Sequence, residues 1–86
     1  MAYKIIFSET ARKEFLKLDK PIKKRITSFL EERIEPNPHL LKEPLHGNKK
    51  GLWKYRVGNY RIICQILNDE LVVLVVDIGH RGEVYK

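Results

Sequence analysis

Arg61, Arg81 and Tyr85 stand at or near the ends of two strand-like runs, Trp53-Lys54-Tyr55-Arg56-Val57-Gly58-Asn59-Tyr60-Arg61 and Asp77-Ile78-Gly79-His80-Arg81-Gly82-Glu83-Val84-Tyr85. A sheet that brings these runs together gathers several cations and a phenol on one surface. An apolar core has no use for that set, whereas a scissile phosphate does. Arginine offers five donors in a planar fork that fits phosphate oxygens, and it stays charged at any workable pH. A tyrosine hydroxyl donates to or accepts from a phosphate, or its ring stacks on a base. Lys54 and Arg56 have equal parity in their run, so they share a face of the strand. Whether Arg61 joins or opposes them depends on the turn register, which the sequence leaves open. The same residues also fit a plainer role, as solubilising cations on an exposed hairpin and a tyrosine closing the core.

The overall charge points the same way as these runs. Against 11 Asp and Glu the chain carries 17 Lys and Arg, a formal +6. Such an excess suits a polyanion (RNA, DNA, a ribosome) or an acidic protein partner. The single cysteine, Cys64, lies inside an apolar run. It excludes an internal disulfide and a cysteine-rich zinc site, and reads as a buried, inert thiol in a reducing cytoplasm. His39 and His46 lie in a loop without a carboxylate cluster, so neither a metal nor a cofactor is expected. The apolar run at the N-terminus is too short for a signal peptide, and no stretch approaches the ~20 apolar residues of a membrane span. Other chemistries lack their motifs: no glycine-rich phosphate loop opens a helix, and there is no nucleophile elbow. Asp77 reads as a solitary carboxylate near the sheet end, with Glu31 and Glu32 on the polar side of a helix.

The elements that must position these residues follow from periodicity. Residues 2–7 read as a strand, and Ser8 as the N-cap of a helix whose apolar face is Ala11, Phe15 and Leu18. Asp19 is placed to cap a second helix, with Pro21 in its first turn and a stripe of Ile22, Ile26, Phe29, Leu30 and Ile34 that Pro36 and Pro38 terminate. Residues 35–51 hold four of the breakers Pro and Gly before Gly51 and read as a loop with a short turn around Leu40 and Leu41. Then come strand-like runs at 52–57 and 60–67 around the Gly58-Asn59 turn, and a third at 71–76 after Asn68-Asp69-Glu70. The third is apolar on both faces, which predicts a central strand. A Gly79-His80-Arg81-Gly82 turn is expected to break it. The order predicts a single α+β domain over residues 1–86, with a two-helix hairpin packed on one face of a mostly antiparallel sheet. The other face is then the place for a binding or catalytic surface.

The chain resembles the RelE/ParE toxin superfamily of bacterial type II toxin–antitoxin systems, and within it the RelE-type mRNA endonucleases. The likeness runs over nearly the whole length. Its opening strand and helix are similar to the family's, Pro44-Leu45-His46-Gly47 through Tyr60-Arg61 resembles the stretch L-x-G … Y/W-[KR]-x-R-x-G-x-Y-R, and Gly79-His80-Arg81-Gly82-Glu83-Val84-Tyr85 resembles the close G-H-R-x-x-V-Y. The resemblance implies an enzyme of the ribosomal A site that cleaves mRNA by attack of a ribose 2′-hydroxyl on the adjacent phosphorus, without metal or cofactor. By position Arg61 matches the arginine that stabilises charge on the phosphate, and Arg81 the arginine at the leaving 5′-oxygen. Tyr85 matches the tyrosine that stacks on or orients the substrate. Lys54 matches one of two lysines that activate the 2′-hydroxyl and hold the phosphate.

Two departures from the family pattern bear on this. The second lysine of the family, two residues before Lys54, is Leu52 here. Lys49, Lys50 and Arg56 are the further cations expected to bind RNA and to replace part of the missing charge. An isolated lysine ammonium holds its proton to about pH 10.4, so a general-base role calls for neighbouring cations. Many relatives also carry a further C-terminal helix where this sequence ends one residue past Tyr85, so the resemblance implies an active face without that lid. The partners it implies are an acidic, RelB-like antitoxin, the ribosome and mRNA, and operator DNA through the toxin–antitoxin complex. The loss at Leu52 keeps open a ParE-like DNA gyrase inhibitor, as well as a catalytically inactive homologue that binds antitoxin and DNA.

Overall fold

The computed structural model describes residues 2–45 and 51–80. Strand β1 (Lys4–Phe7) leads into helix α1 (Glu9–Leu16) and helix α2 (Lys20–Phe29), after which come β2 (Glu43–Pro44), β3 (Leu52–Val57), β4 (Tyr60–Leu67) and β5 (Val72–His80). The five strands form one sheet in the order β1-β5-β4-β3-β2. All pairs are antiparallel except β1 with β5, which is parallel. The doubly apolar run after residue 70 is therefore interior, hydrogen-bonded on both edges, as its lack of alternation predicts. The α+β expectation holds.

Ser8 ends β1 and caps α1 in the same residue. Its backbone N–H donates to the Val75 carbonyl at 2.8 Å, while its hydroxyl accepts from the Ala11 N–H at 3.1 Å. Glu9 in the first turn and Lys13 in the last complement the helix dipole, and the two side chains form an i,i+4 ion pair at 3.6 Å. Helix α2 is built differently. Asp19 occupies the N-cap position but its side chain makes no capping hydrogen bond, and no acidic residue stands in the first turn. That corrects the expected Asp19 cap; α2 is held instead by Pro21 near its start and by burial of Ile26. The apolar stripe of α2 runs on into Leu30 and Ile34, through a π-helical turn over Leu30–Ile34 rather than regular α-helix. The wider turn still buries Leu30 and Ile34.

Between the helices and the sheet lies the core: Ala11, Ile26, Leu30 and Ile34 from below, and Tyr55, Val57, Ile62, Cys64, Val73, Val75 and Ile78 from the sheet. Tyr55 is fully buried, and its hydroxyl donates to the carbonyl of Pro38, which ties the 35–42 loop to the sheet. Burial pushes the Tyr55 phenol far above its usual range and the Cys64 thiol up to about 12, so both are neutral at working pH and Cys64 is inert as expected. The segment before β3 forms a hydrogen-bonded turn, with Leu40 N–H to Asn37 C=O at 3.3 Å, and then the two-residue edge strand β2. So short a strand leaves no periodic signal to read. Trp53 packs against this loop, with the Lys42 ammonium 3.9 Å from its ring centroid.

One further difference matters for the site. Gly79 and His80 of the expected turn are the last residues of β5, with Arg81 and Gly82 outside the described residues, and a β-bulge interrupts the β4–β5 register between Ile63 and Cys64. Ile63 pairs with Asp77 and Cys64 with Val75, so Val76 is the extra residue. The strict alternation that buries Val73 and Val75 would otherwise bury Asp77. The bulge reverses the parity, so that Ile78 enters the core and Asp77 and Gly79 join the outer face.

Candidate active surface

The β3–β4 hairpin turns through Gly58 and Asn59. Gly58 has φ +59° and Asn59 has no positive φ, the arrangement of a type II′ turn with glycine at its first central position. This turn fixes the register that the sequence left open. Val57 pairs with Tyr60, Arg56 with Arg61, Tyr55 with Ile62 and Lys54 with Ile63. Because directly opposed residues share a face, Arg61 joins Lys54 and Arg56 on the side away from the helices. Tyr55, Val57 and Ile62 take the buried side.

Two cross-strand rows of the outer surface carry these cations. One runs Glu43, Lys54, Ile63, Asp77, and the other Arg56, Arg61, Gly79. The second row sets two guanidinium groups directly opposite each other, which costs a sheet stability rather than adding to it. Gly79 follows them without a side chain. Lys54 is only 9% exposed, with its stem packed into the surface beside Ile63. Glu43 Oε1 lies 3.2 Å from the Arg56 Nη2, so one carboxylate on the edge strand holds this arginine. The surface thus combines a half-buried arginine, a deeply set lysine and an arginine tethered by an acid. Such a surface can bind and neutralise a phosphate diester and stabilise charge that develops on it.

The β5 strand outruns β1, and α1 covers its edge. Glu14 Oε1 accepts from the Ile78 N–H at 2.9 Å. Desolvation first, and then a hydrogen bond with Asp77, push the Glu14 carboxyl above its ordinary range. Asp77 is therefore not the solitary carboxylate expected from the sequence; it shares its site with Glu14. At the end of β5, His80 meets Tyr60 edge to face, with ring centroids 5.1 Å apart, on the helix side of the hairpin. His39, in contrast, lies at the opposite end of the sheet, bonded through Nε2 to Asn68 Oδ1 at 2.7 Å and through Nδ1 to Lys42 Nζ at 3.0 Å.

Of the residues expected to act, the fold brings Lys54, Arg56 and Arg61 onto one face. Arg81, Tyr85, Lys49 and Lys50 lie outside the described residues. Glu43 and Glu14 were not singled out in the sequence. Glu43 sits in a two-residue strand, and Glu14 on the charged side of α1, where nothing in the local pattern tells it from a solvated carboxylate.

Comparison with known proteins gives this surface a family. Residues 5–85 match the family model of the ParE toxin of the type II toxin–antitoxin system. A RelE-like toxin protein of Escherichia coli is 34% identical over 89 aligned positions, covering 100% of this chain and 93% of that protein. The mRNA interferase toxin RelE of Escherichia coli K12 is 33% identical, with coverage of 100% and 93%. Among solved structures, the RelBE2 toxin–antitoxin complex of Mycobacterium tuberculosis contains a chain that superposes with a TM-score of 0.86 at 26% identity, over 94% of this chain and 100% of that one. The chain thus belongs to the ParE toxin family within the RelE/ParE superfamily.

Proposed function

We propose that this toxin is a ribosome-dependent mRNA endonuclease whose cleavage step is carried by the outer face of the β3–β4 hairpin. The observation that carries the reading is the register that sets Arg56 opposite Arg61 and puts Lys54 on the same face. A relative at 33% identity named an mRNA interferase supports it. In the reaction the ribose 2′-oxygen forms a bond to the adjacent phosphorus, and the bond from phosphorus to the 5′-oxygen breaks. The 2′-hydroxyl proton goes to a base, and the leaving 5′-oxygen takes up a proton. The products are a 2′,3′-cyclic phosphate and a 5′-hydroxyl. Arg61 stabilises the dianionic phosphorane, Lys54 holds the phosphate and activates the 2′-hydroxyl, Arg81 serves the leaving 5′-oxygen, and Tyr85 stacks on or orients the substrate. Arg56, Lys49 and Lys50 hold the flanking RNA. Preorganised charge of this kind contributes roughly 10²–10³-fold per group, so positioning of the mRNA by the ribosome must supply much of the rest. The partner is an antitoxin whose acidic surface covers the same cations, as the RelBE2 neighbour is itself a toxin–antitoxin complex.

A second reading, a ParE-like gyrase inhibitor, is favoured by Leu52 in place of the second lysine and by the ParE family match. Primer extension on a defined mRNA separates the two. Purified protein with ribosomes holding an empty A site is expected to give a new 3′ end within the A-site codon, absent without ribosomes and lost in Arg81→Ala. Intact mRNA together with growth arrest and inhibited supercoiling would overturn the endonuclease reading in favour of gyrase.

A further inference from the structure

The sheet's outer face is not the only place where an arginine meets the β3–β4 turn. Arg25 leaves α2 beside the buried stripe and lays its guanidinium over Gly58 on the helix side of the hairpin. A Cβ built on Gly58 would stand 2.9 Å from Arg25 Nη1, 3.1 Å from Cζ and 3.3 Å from Nη2. Glycine is favoured here by the positive φ of the turn, and the Arg25 guanidinium stands close over it. Beneath the guanidinium is a cleft of about 80 Å³ lined by Ile22, Arg25, Ile26, Val57, Asn59 and Tyr60. Its floor is apolar, its rim carries an amide and a phenol, and its lining contains one charge, the Arg25 cation. Among the described residues the ion pairs are Lys13–Glu9 and Arg56–Glu43, and neither engages Arg25.

Two residues along the chain from Gly58, on the other face, stands Arg56, opposite Arg61. The tip of one hairpin is thus flanked by cations on both sides. A polyanion lying across the outer face and over this tip meets Arg61 first and Arg25 after it. We propose that the cleft between α2 and the β3–β4 turn, fronted by Arg25, is a second RNA-backbone subsite that holds a phosphate other than the one at Arg61. The proposal rests on the reading of this protein as an RNA-binding toxin. It adds a contact that fixes the strand on the far side of the hairpin. The Arg25 guanidinium is exposed beside the cleft, and its planar fork matches phosphate oxygens.

The test is the salt dependence of binding to a short single-stranded 2′-O-methyl RNA, which has no free 2′-hydroxyl to attack. Fluorescence anisotropy over about 50–200 mM KCl gives the slope of log affinity against log salt, which falls by about 0.7 for each single-strand phosphate contact removed. Arg25→Gln, which keeps a planar group over Gly58 without the charge, is expected to lower the slope by about 0.7. Arg25→Lys is expected to keep the wild-type slope, and Lys13→Ala on α1 serves as the measure of general charge loss. A slope for Arg25→Gln equal to wild type, or reduced no more than by Lys13→Ala, overturns the subsite. So does a lowered melting temperature with an unchanged slope, which marks Arg25 as a clamp on the turn. The ribosome assay separates this proposal from the one beneath it. Cleavage by wild type with no slope change in Arg25→Gln removes the subsite alone. A reduced slope with no A-site cleavage keeps the subsite and removes the nuclease.

Discussion

The two faces of one sheet obey different rules in this protein, and Arg61 and Ile62 show it as neighbours on β4. On the helix side every position from Tyr55 through Ile78 that enters the core is apolar or satisfied, with Tyr55, Ile62, Cys64, Val73 and Val75 at 0% exposure. The Tyr55 hydroxyl, the polar group most deeply placed there, has its acceptor in Pro38. On the outer side two arginines oppose each other and a lysine stem is packed down beside them. Like charges across a strand pair repel, and at Arg56 the Glu43 carboxylate offsets part of that repulsion. The comparison teaches that burial and charge divide by strand parity, so that a shift of one residue along β4 moves from the core to the cationic face.

The sharpest way to break this comparison is to truncate the two neighbours in turn. Ile62→Ala is expected to lower the free energy of unfolding by about 2–5 kcal/mol, the range for deleting a buried branched side chain and leaving a cavity. In a domain this small that is a large share of the total, and urea or thermal melts read it directly. Arg61→Ala is expected to cost far less stability than Ile62→Ala, because it removes no side chain from the core. A-site cleavage by the same variant should fall roughly 10²–10³-fold. If both substitutions unfold the protein equally, or if Arg61→Ala retains full cleavage, the division by parity fails.

A smaller effect tests the polar group on the stable side. Tyr55→Phe keeps the ring against Phe29, where the centroids are 6.2 Å apart, but strips the donor from the buried Pro38 carbonyl. An unsatisfied buried acceptor costs about 1–3 kcal/mol. The melting temperature should drop by roughly 4–8 °C per kcal/mol for a domain of this length, with RNA cleavage unchanged at temperatures where the variant is folded. Loss of cleavage without loss of stability would mean that Tyr55 serves the outer face after all.

Much of this division was legible in the sequence. The alternation Lys54, Tyr55, Arg56, Val57 is a half-buried strand, and Gly58-Asn59 is a hairpin turn. Ser8 was readable as a cap because its chemistry is local. What stayed hidden depends on partners distant in the chain. The face of Arg61 follows from a turn type, which is set by the sign of φ at two residues. The bulge at Val76 follows from the need to bury Ile78 rather than Asp77, and the apolar run before it carries no alternation to count. The two-residue β2 exists because β3 offers it an edge, and Glu43 acquires its place beside Arg56 only through that pairing. Asp77 looked solitary because Glu14 is distant in sequence and reaches it only once α1 covers the overhang of β5.

That last pair gives the smallest and most diagnostic prediction, since it lies where the two faces meet at the sheet edge. Glu14 accepts from the Ile78 N–H, and its charge is opposed by desolvation and by Asp77, and favoured by the Ile78 N–H and Lys17. The net effect raises its pKa in the folded state above the ordinary value of 4.5. The folded protein then holds this proton more tightly than the unfolded chain does. The associated stability is fully present below the unfolded value and is lost as pH rises through the raised folded value. Glu14→Gln retains an oxygen for Ile78 and gains an amide N–H for Asp77, and it has no charge to desolvate. At pH 7 its melting temperature should exceed wild type by on the order of 1–3 °C, a modest figure because the site is partly open to solvent. The difference should close as pH falls below 4.5, where wild-type Glu14 is protonated as well. A difference that stays constant with pH would assign the effect to shape rather than charge. A variant less stable than wild type at pH 7 would show that the attraction of Lys17 and the strength of the carboxylate hydrogen bond outweigh the repulsion of Asp77. In that case the overhang of β5 is held by the ionised Glu14, and the edge beside the cationic face is at its firmest above the carboxylate range rather than within it.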